Sequence, residues 1–211
     1  MYSSAALGVC AVSAVTMLAA CGSDKTTPSA STSSASASGP ALSETVTPPS
    51  STEPATSDGT CPTAAPRDGG TPEWTLTGTT GSVAVTGSTD TTAPRVDVTA
   101  PFSVTQTEVH TLHAGDGPVV APTATVSVCY MGVNGRDGRV FDSAYERGSS
   151  TQFPLDGVVP GFQKAIAGQK VGSTVGVAMT SADGYPDGQP SAGIQKGDTL
   201  IFAIKILSVS G

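Results

Sequence analysis

Between residues 22 and 66 the chain is built almost wholly from Ser, Thr, Ala, Pro and Gly, in runs such as Ser29-Ala30-Ser31-Thr32-Ser33-Ser34-Ala35-Ser36-Ala37-Ser38. A stretch with hardly any aliphatic surface cannot offset the entropy of ordering its backbone, so no core forms there. It reads as a flexible stalk, stiffened locally at Pro48-Pro49. The folded mass of the 211-residue chain is therefore C-terminal, and its length suits one domain of about 100 to 150 residues plus accessory segments. The composition agrees: only 13% of residues are charged and 5% aromatic, and both deficits concentrate in the first third. Ten Lys and Arg against 17 Asp and Glu give a net charge of -7 without any basic stripe, which argues against a nucleic-acid or anionic-lipid surface.

Residues 5–20 carry no charge, yet the run is shorter than the roughly 20 residues that span a bilayer. A signal peptide over 1–20 fits better. The run ends in Leu18-Ala19-Ala20-Cys21-Gly22, which resembles the lipobox of bacterial lipoproteins. That resemblance implies acylation of Cys21 and a lipid anchor on the extracytoplasmic face of the cell membrane, with 21–66 as the linker. Cys10 would leave with the leader, so Cys61 and Cys129 remain outside the cytoplasm. An oxidising compartment favours a disulfide between them, and closing a loop of that size would contribute about 4 to 5 kcal/mol in the chain-entropy view. Two unpaired thiols are the alternative, because the sequence does not say how far apart they lie.

The remainder reads as strands. Short alternating runs recur at Val83/Val85, Val96/Val98 and Val104/Val109, separated by Gly, Pro and Thr. From 123 to 130 the alternation is clear: Ala124, Val126, Val128 and Tyr130 share one face, and Cys129 lies on the other. A Gly-rich turn at 132–138 leads to short strands at 139–142 and 152–155. Phe162, Ala165 and Ile166 are spaced for a short helix between Pro160-Gly161 and Gly168. Val175, Val177 and Met179 alternate, and 199–209 forms a longer strand with Leu200, Phe202, Ile204 and Ile206 on one face. The expected fold class is α+β, an antiparallel sheet wrapped on one short helix.

Nucleophile and cofactor signatures are missing. There is no Gly-x-Ser-x-Gly elbow and no P-loop. His110 and His113, with no cysteine or carboxylate cluster beside them, read as strand-edge residues rather than metal ligands. No metal or other cofactor is expected. The aromatics carry more information: seven of the ten lie from Tyr130 onwards, a clustering that suits a core or a pocket.

An ordered set then stands out: Val128-Cys129-Tyr130-Met131-Gly132, Val140-Phe141-Asp142-Ser143 with Arg147-Gly148, Phe153-Pro154-Leu155, Val158-Val159-Pro160-Gly161-Phe162, Gly168-Gln169-Lys170-Val171-Gly172 and Gly197-Asp198-Thr199-Leu200-Ile201-Phe202. It resembles the FK506-binding-protein (FKBP) family of peptidyl-prolyl cis-trans isomerases, over about 120–211, and 67–119 looks like an extension with lead-in strands. The resemblance implies a catalytic pocket of Tyr130, Phe141, Asp142, Phe162, Tyr185 and Phe202, with Arg147, Val158, Val159 and Ile194 binding substrate. The implied partners are proline-containing segments of secreted or envelope proteins and FK506- or rapamycin-like macrolides; the membrane is met through the lipid alone, and no nucleic acid is bound. Four positions depart from the family pattern: Phe162 replaces the usual tryptophan, Thr151 an aromatic at the rim, Pro186 the glycine after the loop tyrosine, and Gln195-Lys196 a proline pair. These departures keep a noncatalytic binding module as the alternative to an isomerase.

Overall fold

The computed structural model describes residues 59–66 and 70–211. The expected leader, Cys21 and most of the 21–66 linker lie outside the described residues. Among the described residues no helix is long and apolar enough to cross a membrane.

The main sheet has six antiparallel strands. β5 (Thr125–Asn134) is central, pairing along its whole length with β9 (Leu200–Ser210), which pairs in turn with β8 (Thr174–Met179). β4 (Glu108–His113) closes one edge by pairing with β8. The other edge of β5 is shared by β6 (Val140–Ser143) and β7 (Thr151–Pro154). A single helical turn, α1 (Ala144–Arg147), separates those two strands, and its ends explain its place. Ser143 caps the N-terminus by accepting from the Glu146 backbone N–H at 3.2 Å, and Gly148 at φ 69° closes the other end.

The helix expected between Pro160 and Gly168 is present as α2 (Pro160–Ile166). Proline at its first position suits a helix start. Seven residues are too few for a helix to persist alone in water, and what holds this one is burial of Phe162, Ala165 and Ile166 against Val175, Val177, Met179, Leu200 and Ile204. Expected strand positions agree with the structure to within a few residues, with two corrections. The Gly-rich turn expected over 132–138 is shorter, because β5 runs on to Asn134. Val104, read as part of an alternating run, lies in the connection between β3 (Arg95–Ser103) and β4.

The back of the sheet is also covered. β1 (Trp74–Thr77), β2 (Thr80–Thr86) and β3 form a separate three-stranded antiparallel sheet. Its Val83, Val85 and Phe102 pack against Val133, Ala178, Ile201 and Ala203. The lead-in stretch thus divides: β3 joins this second sheet and only β4 extends the main one. Close approach needs small residues, and Gly176 shows why, since a Cβ there would come within 2.7 Å of the Trp74 ring. Cys61 and Cys129 are joined by a disulfide with Cα atoms 5.7 Å apart, within ordinary reach. Both are buried, and 59–66 is held against the folded part by this bond and by the Cys61 N–H donating to the Gly148 carbonyl at 3.2 Å.

Candidate active site

On the α2 side a cavity of about 370 Å³ opens between the helix and the sheet. Its lining comes from many elements: Tyr130 from β5, Phe141 and Asp142 from β6, Phe153 from β7, Gly157, Val158 and Val159 from the turn before α2, Phe162 from α2, Tyr185 from the loop after β8, and Phe202 from β9. Period-two alternation places Tyr130 and Phe202 on the same face, and α2 presents Phe162 to them.

The rings meet mostly edge to face, the arrangement that aromatic quadrupoles favour. Phe162 lies 5.4 Å from Phe202 at 82° and 5.9 Å from Tyr130 at 86°, and Phe141 lies 5.5 Å from Phe202 at 89°. Such rings pack tightly yet leave a gap in front that no side chain fills. Gly132 sits beneath them for a steric reason: a Cβ there would come 2.6 Å from the Phe141 ring and 2.8 Å from that of Phe202.

Polar groups at the rim are mostly satisfied by one another. The Tyr130 hydroxyl donates to Asp142, Arg147 pairs with the same carboxylate, and the Arg147 guanidinium also donates to the Tyr130 hydroxyl at 3.1 Å. Burial, reinforced by the neighbouring Asp142 carboxylate, pushes the Tyr130 hydroxyl above its ordinary value, so it stays a neutral donor. The guanidinium of Arg147 is raised too, by its bond to Asp142. Tyr185 is different. Its ring is half-buried in the cavity, and its hydroxyl has no protein partner among the described residues.

The loop bearing Tyr185 is moored just upstream. Asp183 accepts from Lys164 on α2 at 2.8 and 2.9 Å and from the Thr107 hydroxyl, and its carbonyl accepts from Gly161 N–H at 2.8 Å. The Lys164 ammonium, then the Thr107 hydroxyl, hold the Asp183 carboxyl below the usual carboxylate range.

Eight of the ten residues assigned from the resemblance line the cavity. Arg147 does not line it and acts on Asp142 and Tyr130 from outside. Ile194 does not line the cavity: only 2% exposed, it packs in the core and forms a bridge with Gln189 beside the Pro190–Ala192 turn. Phe153 lines the cavity without being among the ten, and its register with Val126 in β5 puts it on the Tyr130 face, 5.9 Å from that ring.

A larger cavity, about 510 Å³, lies beside the disulfide, with Ser88, Thr89, Asp90, Tyr145 and Lys205 in its walls. It holds none of the phenylalanines. Size alone would favour it, but aromatic walls with a few convergent polar groups mark the smaller cavity as the site.

Residues 117–207 match the family model for FKBP-type peptidyl-prolyl cis-trans isomerase. A probable FK506-binding protein of Corynebacterium glutamicum is 38% identical over 95 residues, covering 44% of this chain and 79% of that protein. An FK506-binding protein of Streptomyces anulatus is 33% identical over 119 residues, covering 55% of this chain and 96% of that protein. This chain belongs to the FKBP-type isomerase family. Among solved structures, a peptidyl-prolyl cis-trans isomerase of Pseudomonas syringae pv. tomato aligns with a TM-score of 0.45 at 26% identity, over 50% of this chain and 76% of that one.

The matched FKBP region begins after β4, so the second sheet, β4 and Thr107 all precede it. Of the four departures, Phe162 keeps an aromatic floor, while Thr151 leaves the cavity wall to Phe153. Among the described residues no group of three His, Cys, Asp or Glu is arranged to hold a metal. His110 instead stacks on Trp74 at 5.7 Å, and His113 Nδ1 lies 3.5 Å from Glu73.

Proposed function

We propose that this chain catalyses cis-trans isomerisation of X–Pro bonds in secreted or envelope proteins, from a lipid anchor at Cys21 on the extracytoplasmic face of the cell membrane. The observation that carries the activity is a 370 Å³ cavity walled by five aromatic rings besides Tyr185, whose hydroxyl no protein group engages among the described residues. Amide rotation faces a barrier of about 18 to 20 kcal/mol, maintained by resonance that separates charge across the planar bond. The twisted amide is less polar, so a dry aromatic cavity stabilises it relative to the planar form. No nucleophile or cofactor takes part. Phe162 receives the proline ring, and Tyr185 donates to a substrate carbonyl. The mutual bonds of Tyr130, Asp142 and Arg147 keep the carboxylate from presenting a bare charge to the amide.

The extracytoplasmic setting is supported by the lipobox-like Leu18-Ala19-Ala20-Cys21 and by the Cys61–Cys129 bond, which oxidising compartments favour. The substrates there isomerise unaided in tens to hundreds of seconds. Macrolides of the FK506 type would compete for the same cavity.

A protease-coupled assay on proline peptides with the full-length protein tests the activity. Turnover that FK506 suppresses is expected. Saturable proline-peptide binding without turnover would establish the binding-module alternative, and neither turnover nor binding by folded protein would reduce the aromatic cluster to a core. Intact-mass analysis of membrane-extracted protein tests the anchor, and an unmodified chain beginning at Met1 would refute it.

A further inference from the structure

Phe141 faces two concavities. One is the aromatic cavity; the other, about 300 Å³, lies beyond it and is walled by Arg136, Asp137, Arg139, Val140 and Gly193. Val140 is 42% exposed there, an apolar side chain held at a rim rather than in a core.

The two arginines of this second concavity differ in what they are free to do. Arg136 is committed: its Nε donates to the buried Asp198 at 3.2 Å, one terminal nitrogen donates to the Gly193 carbonyl at 3.1 Å, and the other lies 3.2 Å from Asp137. Asp198 is itself filled, accepting also from Asn134 at 2.6 Å and from the Gln195 N–H at 2.8 Å. Together these bonds make a rigid wall. Arg139 is not committed. Its side chain is 85% exposed, and its nearest carboxylate, Asp137 at 4.0 Å, is already engaged by Arg136.

Two of the chain's five arginines, Arg136 and Arg139, line this one concavity, and Asp137 is the carboxylate beside them. Reach is also suitable. Two ring-to-ring steps, 5.4 Å from Phe162 to Phe202 and 5.5 Å from Phe202 to Phe141, separate the cavity floor from the shared wall. About three extended residues cover such a path.

We propose that the concavity beyond Phe141 is a subsite for an acidic side chain of the same peptide, within about three residues of the proline, with Arg139 as its specificity-determining residue. The inference rests on the isomerase reading and adds a substrate class to it: proline segments flanked by Asp or Glu. The exposed Arg139 guanidinium selects such peptides by pairing with their carboxylate. An exposed pair of this kind changes the rate constant by about two- to fivefold.

The test uses the full-length protein and peptides with Glu, Gln or Lys at each of the three positions on either side of the proline, with kcat/KM read by exchange NMR. At one position or two, Glu should exceed Gln by about two- to fivefold, with Lys lowest, and the spread should shrink in high salt. Arg139→Glu should invert the order, while Lys170→Ala, at an exposed lysine away from this mouth, should keep it. Turnover that ignores peptide charge at every position overturns the subsite and leaves the isomerase standing. A Glu preference that survives Arg139→Glu overturns the assignment to Arg139. If no peptide is turned over, the isomerase reading fails. The subsite is then judged by binding: Glu peptides must shift the Arg139 Nε–H and Val140 methyl resonances, and unmoved resonances overturn it.

Discussion

On the face that meets α2, the main sheet sets Tyr130 and Phe202 side by side; on the face that meets the second sheet, the same strands set Val133, Ala178, Ile201 and Ala203. Aliphatic and small side chains interdigitate until nothing is left open, and Phe102 from β3 is only 2% exposed among them. On the front, rings meet edge to face and the helix covering them is only seven residues long. A cavity remains in front of the aromatic cluster, whereas Val133, Ala178, Ile201 and Ala203 on the back are 1% exposed or less. The back face therefore serves stability and the front face serves chemistry, and substitutions on the two should separate the one from the other.

The largest expected effect is on the back. Phe102→Ala should cost about 3 to 5 kcal/mol, the usual range for deleting a fully buried ring. Denaturant unfolding measures the loss, and kcat/KM of the protein that remains folded should hardly move. A comparable drop in kcat/KM would show that the two faces are not separable.

Of similar size is the contribution of the bond that ties 59–66 down. Its cysteines are 68 residues apart in sequence. Replacing both by Ala should therefore cost more than about 4 kcal/mol in the chain-entropy view, less any strain released with the bond. Unfolding midpoints compared with and without reductant check this, because reductant should weaken the unmutated protein and leave the double variant unchanged.

The front face should respond in rate rather than stability. Tyr185→Phe removes a hydroxyl with no protein partner among the described residues, so folding should be unaffected. Its kcat/KM should fall about tenfold, the equivalent of about 1.4 kcal/mol of transition-state stabilisation. Asp142→Ala should act in the same direction with a small stability change, because its ion pair with Arg147 is about two-fifths exposed. A large fall in unfolding midpoint for Tyr185→Phe would mean that its hydroxyl is a structural group.

The contrast also explains which features could be read in advance. Period-two runs located β5, β8 and β9, and motif order located most of the cavity lining. The second sheet was not legible as a sheet, because Val83/Val85 and Val96/Val98 say that strands exist but not what they cover. A signal was present in β8: all six of its residues are buried, and small Gly176 and Ala178 alternate with Val175, Val177 and Met179, as suits a strand covered on both faces. Phe153 could have been found by carrying the alternation of β5 across to β7. The burial of Ile194 was not legible, because a loop held by Gln189 and Gly193 has no period to read. Thr107 was equally hidden, since its bond to Asp183 joins positions 76 apart in sequence.

One residue spans the two regions and yields the smallest effect. Tyr145 in α1 packs into the front core, yet its hydroxyl lies 2.8 Å from that of Ser88 in the connection between β2 and β3. Burial pushes that hydroxyl up to about 12, so the fold favours the protonated form. Below about pH 10 the folded and unfolded chains both hold the proton, and the contribution is complete. Above it the unfolded chain releases its proton first, so stability declines until the native hydroxyl titrates near 12. Tyr145→Phe should cost about 1 kcal/mol at neutral pH, for one lost hydrogen bond with Ser88 left unpaired. The same variant should also flatten the decline between pH 10 and 12, leaving the part due to Tyr130, whose hydroxyl is raised as well. Urea titrations across that range measure both, and an unchanged slope in Tyr145→Phe would show that this hydroxyl does not join the two sides.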